Sequence, residues 1–280
     1  MAALLDLGAA QLSSVTDSPR LEAEILLAHA LDRPRSFLHA WPRREVETGA
    51  RRHYVALVTR RRDGEPVAYL TGRKEFWSLE LAVNRHTLIP RPETELLVEQ
   101  ALALLPAGGP CRVVDLGTGS GAIALALARE RPAWTVVACE RCPRALATAR
   151  ANARTLGLLA RVEFRSSDWC SALANDAPYD LICANPPYVR EQDPRLEADV
   201  LRFEPETALI AGPEGLEDLR AIARQARGHL RPGGWLLLEH GDDQETAVAG
   251  LLEKAGYEAI EDLRDYAGRP RLARARWPGP

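Results

Sequence analysis

Lysine is nearly missing from this chain: Lys74 and Lys254 are the only two among 36 basic residues. A codon-level bias accounts for that more simply than a surface built for guanidinium recognition. Positive charge is not in excess either, since 39 acidic residues leave a formal net charge of −3. A protein that wraps nucleic acid by neutralising phosphates carries the opposite balance, so no direct nucleic-acid partner is expected. The sequence has no run of about 18 consecutive apolar residues, and no basic segment leads into an apolar stretch and a small-residue cleavage site at its start. Those absences predict a cytoplasmic protein, with no membrane partner. No internal repeat or low-complexity tract occurs. The five cysteines (Cys111, Cys139, Cys142, Cys170 and Cys183) are odd in number and scattered through apolar stretches, which excludes a disulfide framework. Cys139 and Cys142 form a C-x-x-C, but a structural zinc needs two further ligands at matching spacing and a redox pair needs a different strand and helix context, so no metal is expected.

What the chain does have is an ordinary globular composition, 46% hydrophobic and 27% charged over 280 residues, enough for one large domain and a small one. Residues 1–75 read as a helical module. A helix over Arg20 to Leu31 carries Leu21, Ile25, Leu26 and Leu27 at helical spacing, behind Ser18 and Pro19 as cap and first-turn pair. A second, over Gly49 to Arg62, has Tyr54, Val55, Leu57 and Val58 on one side and stops at Asp63-Gly64. Its arginines, with Arg43 and Arg44 before it, form either a basic face for a partner or an ordinary solvated face. Residues 76–89 form a hairpin linker in which Phe76, Trp77, Leu79, Leu81 and Val83 nearly alternate.

Residues 90–280 repeat strand, turn and helix. Pro92 opens a helix with Glu93 and Glu95 in its first turn. Short apolar strands follow at Arg112 to Leu116, Thr135 to Ala138, Val162 to Arg165 and Tyr179 to Ala184, with helices at Ala122 to Arg131 and from Pro143 to Gly157. After Gly215 come a helix, the turn Arg231-Pro232-Gly233-Gly234, the strand Trp235 to Glu239 and a further helix. Two segments around Tyr257 to Asp262 and Arg271 to Arg276 make an antiparallel end to the sheet. This alternation specifies an α/β fold with a mostly parallel sheet covered on both faces.

The chemistry concentrates at the strand ends. Asp115-Leu116-Gly117-Thr118-Gly119-Ser120-Gly121 is a strand running into three alternate glycines and a helix, where bare backbone lets a ligand approach. The spacing G-x-G-x-G, with an acid before it, departs from the dinucleotide fingerprint G-x-G-x-x-G. Glu140, at the next strand end, suits a ribose diol, and in Asp168-Trp169 the carboxylate suits an adenine amino group while the indole covers the ring. A buried strand then runs into Asn185-Pro186-Pro187-Tyr188, whose two prolines force a stiff, extended exit from the sheet. An amide nitrogen is a poor nucleophile because its lone pair is delocalised. The Asn185 side-chain oxygen and the Pro186 carbonyl would grip both of its N–H bonds and aim the lone pair at a sulfonium methyl, while Tyr188 stacks on the flat group. No general base or metal is required.

The combination of residues 115 to 121, Ser167-Asp168-Trp169 and Asn185 to Tyr188 resembles the release-factor glutamine methyltransferases, the HemK/PrmC family. Arg61 to Pro66, Glu75 to Leu79, Leu88 to Glu95, Arg202 to Pro205 and Leu238 to Gly241 agree with it, so the resemblance covers essentially the whole chain. It implies a class I, Rossmann-like methyltransferase domain with a helical N-terminal domain that docks the substrate. The implied reaction methylates the glutamine of the Gly-Gly-Gln motif in class 1 peptide chain release factors, using S-adenosyl-L-methionine, by a monomer. By motif, Gly117, Thr118, Gly119, Ser120, Gly121, Glu140, Asp168, Trp169 and Asn185 would contact the cofactor; Asn185, Pro186, Pro187 and Tyr188 would hold the glutamine. Glu140 departs from the aspartate frequent in the family, though either carboxylate reaches a ribose diol. Three rivals are an adenine-N6 DNA methyltransferase, which needs a target-recognition segment and a basic cleft; a nicotinamide oxidoreductase, which leaves Asn185 to Tyr188 unused; and a silent binding module.

Overall fold

Five helices form in the first 71 residues, where apolar side chains recur at helical spacing: α1 (Ala2–Leu12), α2 (Pro19–Leu31), α3 (Arg35–Ala40), α4 (Thr48–Arg62) and α5 (Val67–Thr71). The computed structural model describes residues 1–196 and 198–280. Leu5, Leu12, Leu26, Leu27, Leu38, Tyr54, Leu57, Val58 and Leu70 meet in one buried cluster. Gly8 lets α1 approach α4, since a Cβ there would fall 1.9 Å from the Tyr54 hydroxyl oxygen. Pro19 takes the first turn of α2, while Ser18 precedes it without a side-chain cap bond. Two expected core residues face outward: Leu21 is 41% and Val55 49% exposed. Part of the arginine run is engaged internally, Arg60 with Glu65 and Arg61 with Glu22 at 2.7 Å.

Next comes a hairpin of β1 (Arg73–Phe76) and β2 (Leu79–Ala82). Trp77 and Ser78 both lie in the left-handed region, φ 51° and 55°, as a two-residue hairpin turn of matching twist demands. Trp77 is therefore a turn residue, not part of the alternation. Its N–H donates to Glu95 Oε1 at 2.8 Å. Phe76, Leu79 and Leu81 pack into the core of the sheet that follows.

That sheet is built from α6 (Glu95–Leu104), β3 (Arg112–Leu116), α7 (Ala122–Glu130), β4 (Thr135–Glu140), α8 (Pro143–Thr155), β5 (Val162–Ser166), β6 (Tyr179–Ala184), α9 (Ala198–Phe203), α10 (Glu217–Ala226), β7 (Leu230–Glu239), α11 (Glu245–Lys254), β8 (Glu258–Arg264) and β9 (Pro270–Arg276). Pro92 opens a single 3-10 turn, Pro92–Thr94, before α6 begins. The strand order is β5-β4-β3-β6-β7-β9-β8, parallel except that β9 runs antiparallel to both neighbours. Alternate strand residues face opposite layers. Val113, Val136, Leu181 and Leu237 pack with α6 and α7, whereas Val114, Val137, Ile182 and Leu236 pack with α10 and α11. The strand expected from Trp235 begins at Leu230, because Arg231 to Gly234 continue it through a register irregularity opposite Tyr179 and Leu181 rather than turning into it.

By contacts the chain divides into two units. The first is Met1–Arg73 with Ala198–Phe203, where Arg202 donates to the Asp63 carbonyl at 2.9 Å. The second is the rest of the described chain. No helix among the described residues is long and apolar enough to cross a membrane.

Candidate active site

Because β3, β4, β5, β6 and β7 are parallel, Leu116, Glu140, Ser166, Ala184 and Glu239 all end at one edge of the sheet. The chain leaves β3 toward β4 on one side and β6 lies on the other, so a crevice opens at that edge where the order reverses. Gly117, Gly119 and Gly121 each have positive φ, at 75°, 57° and 88°. The loop is pinned to β4, with the Gly117 and Thr118 N–H groups both donating to the Cys139 carbonyl at 2.9 Å. Beneath it Asp115 is fully buried and accepts from the Thr118 hydroxyl at 2.6 Å and the Ala124 N–H at 3.2 Å. Burial raises its carboxyl to about 7 against the pull of those two bonds.

Glu140 closes β4 and braces the same loop. One oxygen accepts from Gly119 N–H at 3.0 Å and the other from Cys142 N–H at 2.8 Å, which leaves further lone pairs on the cavity side. Trp169 stands in the left-handed region, φ 46°, an uncommon conformation for a bulky residue. Its ring lies over Gly117, where a Cβ would come within 3.2 Å of it, and its Nε1 donates to Asp218 Oδ1 at 3.2 Å. Cys139 is buried, with its thiol pushed up to about 12 by that burial. Among the described residues no group of three or more His, Cys, Asp or Glu is placed to hold a metal ion.

Asn185 follows β6 directly, and its Nδ2 donates to the buried Thr94 hydroxyl at 3.0 Å. Pro186 and Pro187 are buried. The exit is braced beyond them: Gln244 Nε2 donates to the Tyr188 carbonyl at 2.9 Å, and Val189 exchanges hydrogen bonds with Leu209 and Ala211. A Cβ on Gly215 would fall 2.6 Å from the Tyr188 carbonyl oxygen, so only glycine lets the two segments meet. The Tyr188 hydroxyl donates to Glu239 Oε1 at 3.2 Å, and burial raises the pKa of the phenol.

These residues converge on one cavity that encloses about 940 Å³ of space, its open mouth included. Gly117, Thr118, Gly119, Ser120, Glu140, Asp168, Trp169, Asn185 and Pro187 line it. Gly121, Pro186 and Tyr188 do not: Gly121 caps α7 with its Cβ position filled by Leu125 and Ala149, and Tyr188 packs with the α10 and α11 layer. The wall also includes His86, Leu88, Pro90 and Thr94 on one side and Pro205, Thr207 and Ala208 on another, none of them marked by the glycine and proline motifs. Buried Glu204 ties these two segments together, accepting from Ile89 N–H at 3.1 Å and Arg91 Nη2 at 2.5 Å. The stretches Leu88 to Glu95 and Arg202 to Pro205 carried the signal, though not the reason.

Comparison with known proteins gives the family. Residues 3–72 match the family model described as PrmC N-terminal domain, and residues 92–202 match the methyltransferase small domain. The release factor glutamine methyltransferase of Pseudomonas aeruginosa is 52% identical over 267 residues, covering 95% of this chain and 96% of its own. That of Escherichia coli K12 is 49% identical over 262 residues, 94% of each. Among solved structures, a methyltransferase from Pyrococcus furiosus superposes with a TM-score of 0.54 at 18% identity, over 72% of this chain and 90% of that one. The hMettl16 catalytic domain gives 0.56 at 20% identity, over 72% and 76%. Both are likenesses of fold.

Proposed function

Because the chain belongs to the release factor glutamine methyltransferases, we propose that it methylates the side-chain amide nitrogen, N5, of the glutamine in the Gly-Gly-Gln motif of class 1 peptide chain release factors. The methyl donor is S-adenosyl-L-methionine. The observation that carries this reading is identity of 49 to 52% over nearly the full length of both chains, with Asn185 on the wall of the cavity that the glycine loop also lines.

The cavity fits that donor. Positive φ at Gly117 and Gly119 leaves backbone open to close approach, Glu140 offers carboxylate lone pairs to a ribose diol, and Asp168 with the Trp169 ring suits an adenine. Gly117 to Ser120, Glu140, Asp168, Trp169 and Asn185 would hold it, with Gly121 turning the chain into α7 behind them. When bound, it supplies an electrophilic methyl on a sulfonium sulfur. The chain's own residues do the rest by placement. The Asn185 Oδ1 and the Pro186 carbonyl accept the two N–H bonds of the target amide and so turn its lone pair out of conjugation toward the donor. Pro186 and Pro187 keep those acceptors from swinging. The Tyr188 ring, packed with the α10 and α11 layer and tied to Glu239, stiffens the same corner. The proton becomes acidic as the new bond forms and leaves to solvent. The helical N-terminal unit docks the release factor; the enzyme acts as a cytoplasmic monomer and needs no nucleic acid or membrane.

Mass spectrometry of candidate class 1 release factors incubated with the enzyme and isotopically labelled donor tests the reading. The expected product is a tryptic peptide that gains one labelled methyl on the Gly-Gly-Gln glutamine. Label on another residue, or none on any class 1 factor, rejects it.

A further inference from the structure

Asn185 serves as an acceptor for the target amide only when its own amide is turned one way. Its oxygen accepts and its nitrogen only donates. Turned over, Nδ2 would confront the N–H bonds of the target donor to donor. Thr94 alone does not decide between the two, because a hydroxyl both donates and accepts. The choice passes to whatever takes the Thr94 hydrogen.

That group is Glu239. It ends β7 one step beyond the Ala184 and Leu238 register pair, and so stands level with Asn185 at the sheet edge. It is 1% exposed. Its Oε1 accepts from the Tyr188 hydroxyl at 3.2 Å, Oε2 has no hydrogen-bond partner among the described residues, and the Thr94 hydroxyl lies near enough to the carboxylate to pull its pKa down. An ionised carboxylate accepts only. A Thr94 hydrogen turned to that carboxylate leaves Oγ1 only lone pairs to offer Asn185, and Nδ2 at 3.0 Å is the atom that fits. Asn185 Oδ1 is left for the substrate.

We propose that Glu239 is a positioning residue for methyl transfer: through Thr94 it sets which end of the Asn185 amide meets the substrate, and through its own bond it fixes Tyr188. This rests on the reading of Asn185 to Tyr188 as the grip on the acceptor amide. Among the described residues the groups that act most on Glu239 are Thr94 and Glu93 ahead of α6, Tyr188 after β6 and Arg271 on β9. Burial pushes its carboxyl up to about 7, the two hydroxyls and Arg271 pull it down, and Glu93 adds to the rise. Protonated, Glu239 donates to Thr94 and frees the Thr94 hydrogen to turn the Asn185 amide over. The ionised form is the competent one, so the rate climbs as pH rises through about 7.

Single-turnover methylation of a class 1 release factor by the full chain tests this, with Glu239→Gln, Thr94→Val, Thr94→Ser and the Glu239→Gln, Thr94→Val double variant. Glutamine keeps the shape but puts a donor on one arm. Glu239→Gln and Thr94→Val are each expected to slow transfer by about tenfold to a hundredfold, with the dissociation constant of S-adenosylhomocysteine moving by less than about threefold. The pH step near 7 disappears in Glu239→Gln, Thr94→Ser keeps most of the rate, and the double variant is no slower than the slower single, because both break one chain of bonds. Wild-type rate in Glu239→Gln, or losses that multiply in the double variant, overturns the relay. Should Glu239→Gln not fold, Thr94→Val at wild-type rate does the same. No product from the wild-type enzyme instead rejects the functional reading, and the relay with it.

Discussion

At the scale of single residues the site depends on acceptors held still. Among the described residues Asn185 has one side-chain bond, Nδ2 to Thr94 Oγ1, and it sits on the cavity wall. On the proposed reading, removing its amide deletes one preorganised acceptor without touching the fold of β6. Asn185→Ala is therefore expected to lower single-turnover methyl transfer by roughly a hundredfold or more, while S-adenosylhomocysteine binding by calorimetry changes far less. Equal activity in that variant rejects the assigned role. Asn185 and Glu140 are legible in the sequence because each stands at the end of an apolar strand, and Trp169 because it follows Asp168 just past the next strand. Thr94 and Glu239 are not. A threonine after Pro92 reads as helix start and a glutamate after Leu236 to Leu238 as strand end; only the pairing of β6 with β7 brings Glu239 level with Asn185.

At the scale of elements, what holds the glycine loop in place lies partly outside it. Asn152 on α8 is 3% exposed, and its side chain accepts from Ala82 N–H at 2.8 Å and donates to the Ala82 carbonyl at 3.0 Å and the Ser120 carbonyl at 2.8 Å. One amide thus fastens the end of the hairpin and the glycine loop to a single helix. Asn152→Ala leaves three backbone groups short of partners in a buried place, a loss of about 2 to 4 kcal/mol when one to two of them find no water. A drop in the urea midpoint, together with weaker S-adenosylhomocysteine binding, is the expected outcome; an unchanged midpoint shows that the hairpin and loop need no such tie. The central strands β3, β4 and β6 are legible because burial on both faces fills them with apolar residues, whereas β5 at the sheet edge, Val-Glu-Phe-Arg-Ser, alternates. α9 is not legible. It spans six residues, and Arg202 within it donates to the carbonyl of Asp63, far upstream in the chain. The true start of β7 is hidden for a related reason: Arg231 to Gly234 have turn composition, but pairing with β6 keeps them in the strand.

At the scale of the whole molecule, two separate apolar clusters on the sheet and a third among the first helices mean that ligand binding need not stabilise every part alike. The cavity is lined wholly by residues of the second unit. A ligand that binds only the folded form of that unit stabilises it by mass action, by about 2.7 kcal/mol at a hundredfold excess over the dissociation constant. Hydrogen exchange with and without S-adenosylhomocysteine at that excess should then slow the amides of β3, β4 and β6 that exchange by unfolding, by up to about a hundredfold. The core amides of α1, α2 and α4, around Leu12, Leu26 and Leu57, should exchange at nearly the same rate as before. Equal slowing in both sets would mean that the chain opens as one cooperative body, and that the helical unit, despite its own buried cluster, draws its stability from the unit that binds the donor.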